Sequence, residues 1–362
     1  MPPFHAIRLP VGLSYHRANI LLMRPALKPG LATVWRNRDT VQIGIDPRRA
    51  IAVTGMRGAG GLLRLLDGSR DRHQVLAAAS DLGLDAKAAE RVLTLLASAG
   101  ALDDFPGSGR GTLPPAARAR LAPELATVSL ANGDADGGAC TMARRQAAWV
   151  RVHGASRASL WIAGMLTAAG VGLVLSTGPA APPPGPAGSA DRPLADPGAG
   201  PARRQPPAPS RPGSRARPRP DPDLVVLADS HRRELPAALV RTQVPHLAAS
   251  ASEAIGVVGP LVLPGRSACL RCLDLTRAER DPAWPLILAQ LAGQSGADPL
   301  ACDTVLATMV AAQAAAQALA FLDQGGPGPA VINGTLELVL PGWQWRRRSW
   351  PAHPRCGCRH RD

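Results

Sequence analysis

The chain has 362 residues, 46% of them apolar, and a formal net charge of +14, so it is long enough for two or more domains with real cores and is not a disordered polypeptide. The positive charge does not by itself indicate nucleic acid: lysine occurs only at Lys28 and Lys87, aromatics are 3%, and seven arginines lie in one proline-rich segment. No RNP-type aromatic motif or zinc-finger spacing of paired cysteines and histidines is present, so nucleic acid is not an expected partner.

Residues 1–22 read as a ragged, disordered extension, with Met23-Arg24-Pro25 as a natural alternative start. They carry His5, Arg8, His16 and Arg17 and no continuous apolar run, unlike a secretory signal. A cytoplasmic location follows, where thiols stay reduced and paired cysteines bind metal more often than each other. Three short β-type runs then succeed one another at 33–35, 40–45 and 50–53. Breakers at Asn37-Arg38-Asp39 and Asp46-Pro47 separate them, which predicts a small antiparallel ribbon. Helical spacing takes over with Leu62, Leu63, Leu65 and Leu66, then Val75 and Leu76, then Val92, Leu93, Leu95 and Leu96. Asp71 followed by Gln74 predicts a capping box, Asp85 a cap for the third helix and Gly100 its stop. Three strands and three helices predict a winged-helix-like domain over 23–105, with 106–148 as a linker.

That order, with the turn Leu65-Leu66-Asp67-Gly68-Ser69-Arg70, resembles the PqqD-like recognition element with which modification enzymes hold the leader of a ribosomally made peptide precursor. The resemblance covers roughly residues 26–103. It implies that a leader peptide adds as an extra strand to the ribbon edge and packs on the third helix. Here that would involve Val41, Ile43, Ile45, Ile51 and Val53, with Arg91 and Leu95 on the helix. A winged-helix module that merely packs on its neighbour would show the same pattern.

A second domain, 149–178 and 223–362, opens at Trp149-Val150-Arg151-Val152-His153-Gly154, a strand ending in glycine. The uncharged stretch 158–175 approaches the ~20 residues needed to cross a bilayer, which makes a membrane-associated protein one alternative. Gly164, Gly170, Gly172 and Thr167 weaken that span. Ala168-Ala169-Gly170-Val171-Gly172 before Leu173-Val174-Leu175 reads instead as helix end, glycine turn and strand, favouring a β-α-β unit without a membrane partner. Between 179 and 222 there are 15 prolines, seven arginines and a single large aliphatic residue, Leu194. Such a segment cannot offset ordering costs of about 1–2 kcal/mol per residue, and a disordered insertion is expected. Order resumes at 223–228 with a buried type of strand, followed by a helix at 234–242, a strand at 245–248 and the apolar run 254–263. A helix over 304–322, capped by Asp303 and stopped by Gly325-Gly326, is apolar nearly all round apart from Gln313 and Gln317 and belongs in a core. A hairpin, 335–340 and 343–349, turns about Pro341-Gly342.

Four cysteines fall in two short clusters, Cys269-Leu270-Arg271-Cys272 and Cys356-Gly357-Cys358, separated by 83 residues. Two residues between ligands let a tight knuckle aim both sulfurs inward, and four thiolates are the usual closed shell of structural zinc. Buried free thiols are the alternative, and His353 or His360 could replace one sulfur. Cys140 and Cys302 have no nearby partner. Cys302, beside the helix cap Asp303, is either a thiol activated by the helix dipole or a small buried residue.

Over 149–178 and 223–362 the chain resembles the ThiF-type fold of ubiquitin-activating-like enzymes, and in particular actinobacterial cyclodehydratase-associated proteins that join such a domain to a peptide-recognition element. The resemblance rests on residues 257–274, on Asp281-Pro282-Ala283-Trp284-Pro285 and on His353-Pro354 before Cys356-Gly357-Cys358. It implies an α/β, Rossmann-like domain with a zinc-tied C-terminal hairpin, often paired as a homodimer. Active members bind ATP at the first β-α-β unit and adenylate a peptide C-terminus. This chain departs from that pattern. A side chain at the second position of a G-x-G-x-x-G turn blocks the approach of phosphates, and Gly154-Ala155-Ser156-Arg157-Ala158-Ser159 keeps only the first glycine. Leu175-Ser176-Thr177 offers no acid for a ribose, and Asp229 is the one magnesium-binding carboxylate left, unless it only caps a helix. The expectation is a non-catalytic partner that binds a precursor leader and docks a YcaO-type modifying enzyme, with zinc as structural cofactor and no ATP. An active ATP-dependent adenylyltransferase is the alternative.

Overall fold

A computed structural model describes residues 24–56, 60–104, 113–176, 221–228, 234–293 and 302–359. Residues 1–22, nearly all of 179–222, Asp229 and His360 lie outside the described residues. Contacts divide the chain into two compact units, Met1–Ala143 and Arg144–Asp362.

In the first unit, β1 (Pro25–Leu27) is a strand that no sequence pattern announces. The ribbon follows as β2 (Thr33–Trp35), β3 (Val41–Ile43) and β4 (Ile51–Val53), in antiparallel order β2-β3-β4. Helices α1 (Gly60–Leu65), α2 (Arg72–Asp81) and α3 (Ala86–Ser98) come next. The Asp71–Gln74 capping box forms in full, whereas Asp85 caps α3 by position without a side-chain bond. Gly100, at φ +67°, supplies the left-handed residue after α3. Then β5 (Leu102–Asp104) returns to pair antiparallel with β1. Val41, Ile43, Val53, Leu62, Val75, Leu93 and Leu96 fill the core between ribbon and helices.

The segment expected to be a linker carries helices instead: α4 (Pro115–Arg120), α5 (Ala122–Asn132) and α6 (Ala139–Ala147), the last crossing the boundary between the units. A buried polar cluster explains why α5 belongs to the first unit. The Lys28 ammonium, 1% exposed, donates to Asp103 Oδ1 at 2.7 Å, to the Ser129 carbonyl at 3.0 Å, to Ser129 Oγ and to the Asp134 carbonyl. Ser129 Oγ in turn donates to Asp103 Oδ1 at 2.7 Å.

The second unit is a seven-stranded mixed sheet of order β12-β11-β10-β9-β8-β6-β7. Its elements in chain order are β6 (Trp149–His153), α7 (Arg157–Ala168), β7 (Leu173–Ser176), β8 (Leu224–Leu227), α8 (Glu234–Arg241), β9 (His246–Ser252) and β10 (Ile255–Val262). After these come α9 (Leu270–Arg280), α10 (Trp284–Gly293), α11 (Thr304–Asp323), β11 (Gly334–Val339) and β12 (Trp345–Ser349). Strands β6 to β9 run parallel, and β10 to β12 add antiparallel neighbours.

The stretch 158–175 is not one span. Helix α7 has 12 residues, Gly170 at φ +92° ends its run, and β7 begins at Leu173. Gly172 is required there, because a Cβ would lie 1.9 Å from the Gln146 carbonyl oxygen. The 20-residue α11 is long and apolar enough to cross a membrane, with mean hydropathy 1.7, but half of that window is buried and the helix packs on α7, β9 and β10. Asp303 caps it by accepting the Leu306 N–H at 2.7 Å, and left-handed Gln324, not a glycine, ends it.

Candidate functional site

Cys269 is the N-cap residue of α9 and Cys272 lies in its first turn, while Cys356 and Cys358 frame the start of a short 3-10 helix, Gly357–Arg359. The four sulfurs all lie within 4.8 Å of one another. Sγ separations are 3.9 Å for Cys269–Cys272, 3.7 Å for Cys269–Cys356 and 3.5 Å for Cys272–Cys358. A disulfide needs about 2.05 Å. Four thiolates at about 2.3 Å from a tetrahedral cation stand roughly 3.8 Å apart, so the donor set fits one metal ion.

Two turns aim these sulfurs. Ser267 Oγ accepts the Leu263 N–H at 2.7 Å, closing the loop ahead of the knuckle. Asn333 Oδ1 accepts the Ala268 N–H at 2.8 Å, and its carbonyl accepts the Trp350 N–H at 2.9 Å. Asn333 therefore joins the approaches to both clusters from outside either, in the left-handed conformation (φ +52°) that Asn tolerates. The clustered thiols influence one another's ionisation. The Cys269 thiol bonds to Cys272 and holds it down to about 4; the same bond, with burial, pushes Cys269 far up. Burial, with the Cys272 sulfur beside it, pushes Cys358 up to about 12. Cys272 thus ionises at its neighbours' expense, and bringing all four sulfurs to the thiolate form would require a bound positive charge. His353 is not a ligand: Nε2 lies 2.9 Å from Glu279 Oε1, and Nδ1 accepts the Arg355 N–H at 3.1 Å.

At the β6–α7 turn, Gly154 has φ +145°. Ser156 Oγ takes the Ser159 N–H at 3.4 Å, and the buried Ser159 hydroxyl donates to the Gly154 and Ser156 carbonyls at 3.1 and 2.6 Å. Arg157 reaches across to the Cys302 carbonyl (3.1 Å) and Thr304 Oγ1 (3.3 Å) at the start of α11. Donors that would face a phosphate at this helix N-terminus are thus partly occupied from within. The strand order reverses between β6 and β8, so His153, Gly154 and Ala228 stand at the switch point where this architecture binds ligands. Cys302 is half-buried, with its thiol 3.9 Å from the Asp303 carbonyl, and Cys140 is exposed on α6.

The residues expected to meet a peptide do not share one surface. Val41, Ile43 and Val53 are buried in the first unit's core, 0 to 3% exposed, so their side chains are unavailable. Strand β3 is paired on both sides and cannot accept another strand. Ile45 is 74% exposed beyond β3, and Arg91 is exposed on α3. Ile51 on the edge strand β4 and Leu95 on α3 are half-buried against the same core.

No protein-family model matches the chain, and no curated protein matches it. Solved structures are similar. The heterocyclase TruD aligns with a TM-score of 0.61 at 16% identity, over 93% of this chain and 42% of TruD. A heterocyclase in complex with substrate and cofactor gives 0.57 at 14%, over 90% and 38%. E. coli MccB with ATP gives 0.57 at 13%, over 93% and 100%. The chain spans about two fifths of the heterocyclases and the full length of MccB. At these identities the likeness shows a shared mixed α/β fold.

Proposed function

We propose that this chain is a leader-binding partner, without catalysis of its own, for a YcaO-type cyclodehydratase that modifies a ribosomally made peptide in the cytoplasm. Similarity to heterocyclase structures supports the setting. The observation that carries the non-catalytic part is the β6–α7 turn, where Ala155, Ser156 and Arg157 stand in place of an open phosphate cradle and Arg157 ties the turn to Cys302 and Thr304. In this reading Cys269, Cys272, Cys356 and Cys358 hold a structural zinc. The leader adds to the free edge of β4 against α3, near Ile51, Arg91 and Leu95, and the second unit docks the enzyme or pairs as a homodimer. Calorimetric titration of the full chain with Mg–ATP tests it: no saturable binding in the micromolar range is expected. A second reading, an ATP-dependent adenylyltransferase, draws on the full-length similarity to MccB solved with ATP. Saturable ATP binding abolished by Asp229→Ala would replace the first reading with the second.

A further inference from the structure

The other edge of the ribbon presents a different surface. All three residues of β2 are exposed, Val34 by 44% and Trp35 by 49%. Backbone bonds link Ala32 with Gly44 and Arg36 with Thr40, and Val34 lies opposite Gln42 between them. In an antiparallel pair such bonds alternate, so the N–H and C=O groups of Thr33 and Trp35 point away from β3, toward the free edge. Beside that edge lies a shallow groove of about 630 Å³ lined by Trp35, Asn37, Arg38, Gly60, Gly61 and Arg64. The Trp35 ring lies against Gly60 so closely that a Cβ there would meet it at 2.8 Å. Among the described residues two guanidinium groups and no carboxylate line the groove, and Arg36 directly follows β2. Among the described residues none of these three arginines has an ion pair. The nearby acid, Asp39, is turned toward the other side of the ribbon, where it accepts the Gly55 N–H.

We infer that this edge binds an extended acidic segment of a partner protein, added as a strand along β2 with its carboxylates on Arg38 and Arg64 and an apolar side chain on Trp35. Unpaired backbone groups supply the ladder and the arginines select the charge. The chain's own remaining segments do not match: residues 1–23 hold no acid, 177–220 carry seven arginines against two aspartates, and none of the short stretches 57–59, 105–112, 229–233, 294–301 and 360–362 holds more than one acid. A second copy would bring the same arginines together, which like-charge repulsion opposes. This surface is separate from the β4–α3 edge assigned to a leader, and either can fail without the other.

The test is fluorescence anisotropy of a labelled ten-residue peptide alternating glutamate and valine, titrated with the full chain. Binding is expected, with affinity falling at least tenfold in Arg38→Glu/Arg64→Glu. The same charge change placed elsewhere, Lys87→Glu/Arg241→Glu, should leave affinity within about twofold. Thr33→Pro removes an outward N–H that β3 does not use and should also weaken binding; if it does not fold, the arginine pair decides. Equal affinity of the Arg38→Glu/Arg64→Glu protein, equal binding of a lysine-for-glutamate peptide, tighter binding of a single-stranded oligonucleotide, or a chain dimer dispersed by those substitutions would each overturn the assignment.

Discussion

Lys28→Met isolates what holds the first unit together beyond its apolar core. The substitution keeps most of the side-chain volume and removes the ammonium that bonds Asp103, Ser129 and Asp134. Asp103 is fully buried, its Oδ2 has no hydrogen-bond partner among the described residues, and Oδ1 would retain only the Ser129 hydroxyl. Leaving one member of a buried ion pair behind costs about 3–5 kcal/mol. A domain of this size has a total stability of roughly 5–15 kcal/mol, so the loss is a large part of it. At about 4–8 °C per kcal/mol the unit's calorimetric transition should fall by at least ~12 °C. Replacing both charges, Lys28→Met with Asp103→Leu, should recover most of the loss, because it leaves no isolated charge to desolvate. Scanning calorimetry of the full chain gives the shifts, and amide exchange places the loss in β1, β5 and α5. A shift below about 1 kcal/mol for Lys28→Met alone, or a double variant worse than either single one, would refute the reasoning.

Freshly purified, reduced protein should carry about one equivalent of zinc, and Cys272→Ala should unfold the C-terminal hairpin, since binding free energy at such sites is folding free energy on the order of 10 kcal/mol. Metal analysis showing none would exclude the site. Burial lowers the His246 pKa from 6.5 to about 4, and among the described residues only Nδ1 has a partner, the Val244 carbonyl at 3.0 Å. The unfolded chain therefore takes up a proton first, and as pH falls from about 6.5 to 4 the second unit should lose about 3 kcal/mol relative to His246→Leu. Parallel pH profiles of urea unfolding for the two proteins would contradict that.

What could be read from the sequence was local. The ribbon, the capping box, the β6–α7–β7 unit and the core helix α11 each carry their signal within a few turns of chain, and they form close to the expected bounds. Strands β1 and β5 do not: each has three residues, one opens with proline and the other holds two aspartates. Their pairing is supported by contacts from outside the pattern: Lys28 neutralises Asp103, and the Arg24 N–H bonds Asp104 at 2.7 Å. The same distant lysine holds Ser129 and hence α5, so 106–148 reads as linker until it is folded. Val41 and Ile43, two residues apart, share one face of β3, and that face is buried in the core rather than exposed to a partner. His353 lies near the second cysteine pair in sequence, yet Glu279 fixes its ring nitrogen from α9.

The position of the cysteines follows from what the sheet cannot supply at that end. The main core of the second unit is filled by β6, β8, β9, β10 and α11 and contains none of the four cysteines. Beyond it, β12 is an edge strand whose side chains are nearly all exposed, and it ends in three arginines and a serine. Past it, the satellite cluster has seven buried members, three of them Cys269, Cys272 and Cys356. Its one aromatic side chain, Trp350, lies 5.4 and 5.1 Å from the guanidinium carbons of Arg277 and Arg348 and donates to Thr335 Oγ1 at 2.9 Å. So little apolar surface cannot hold the loops around 263–269 and 350–358 against their conformational entropy. A metal held by the four sulfurs would compensate for the missing core. Its removal should therefore free β12 and the residues after it while the sheet from β6 to β10, clamped by α11, stays folded.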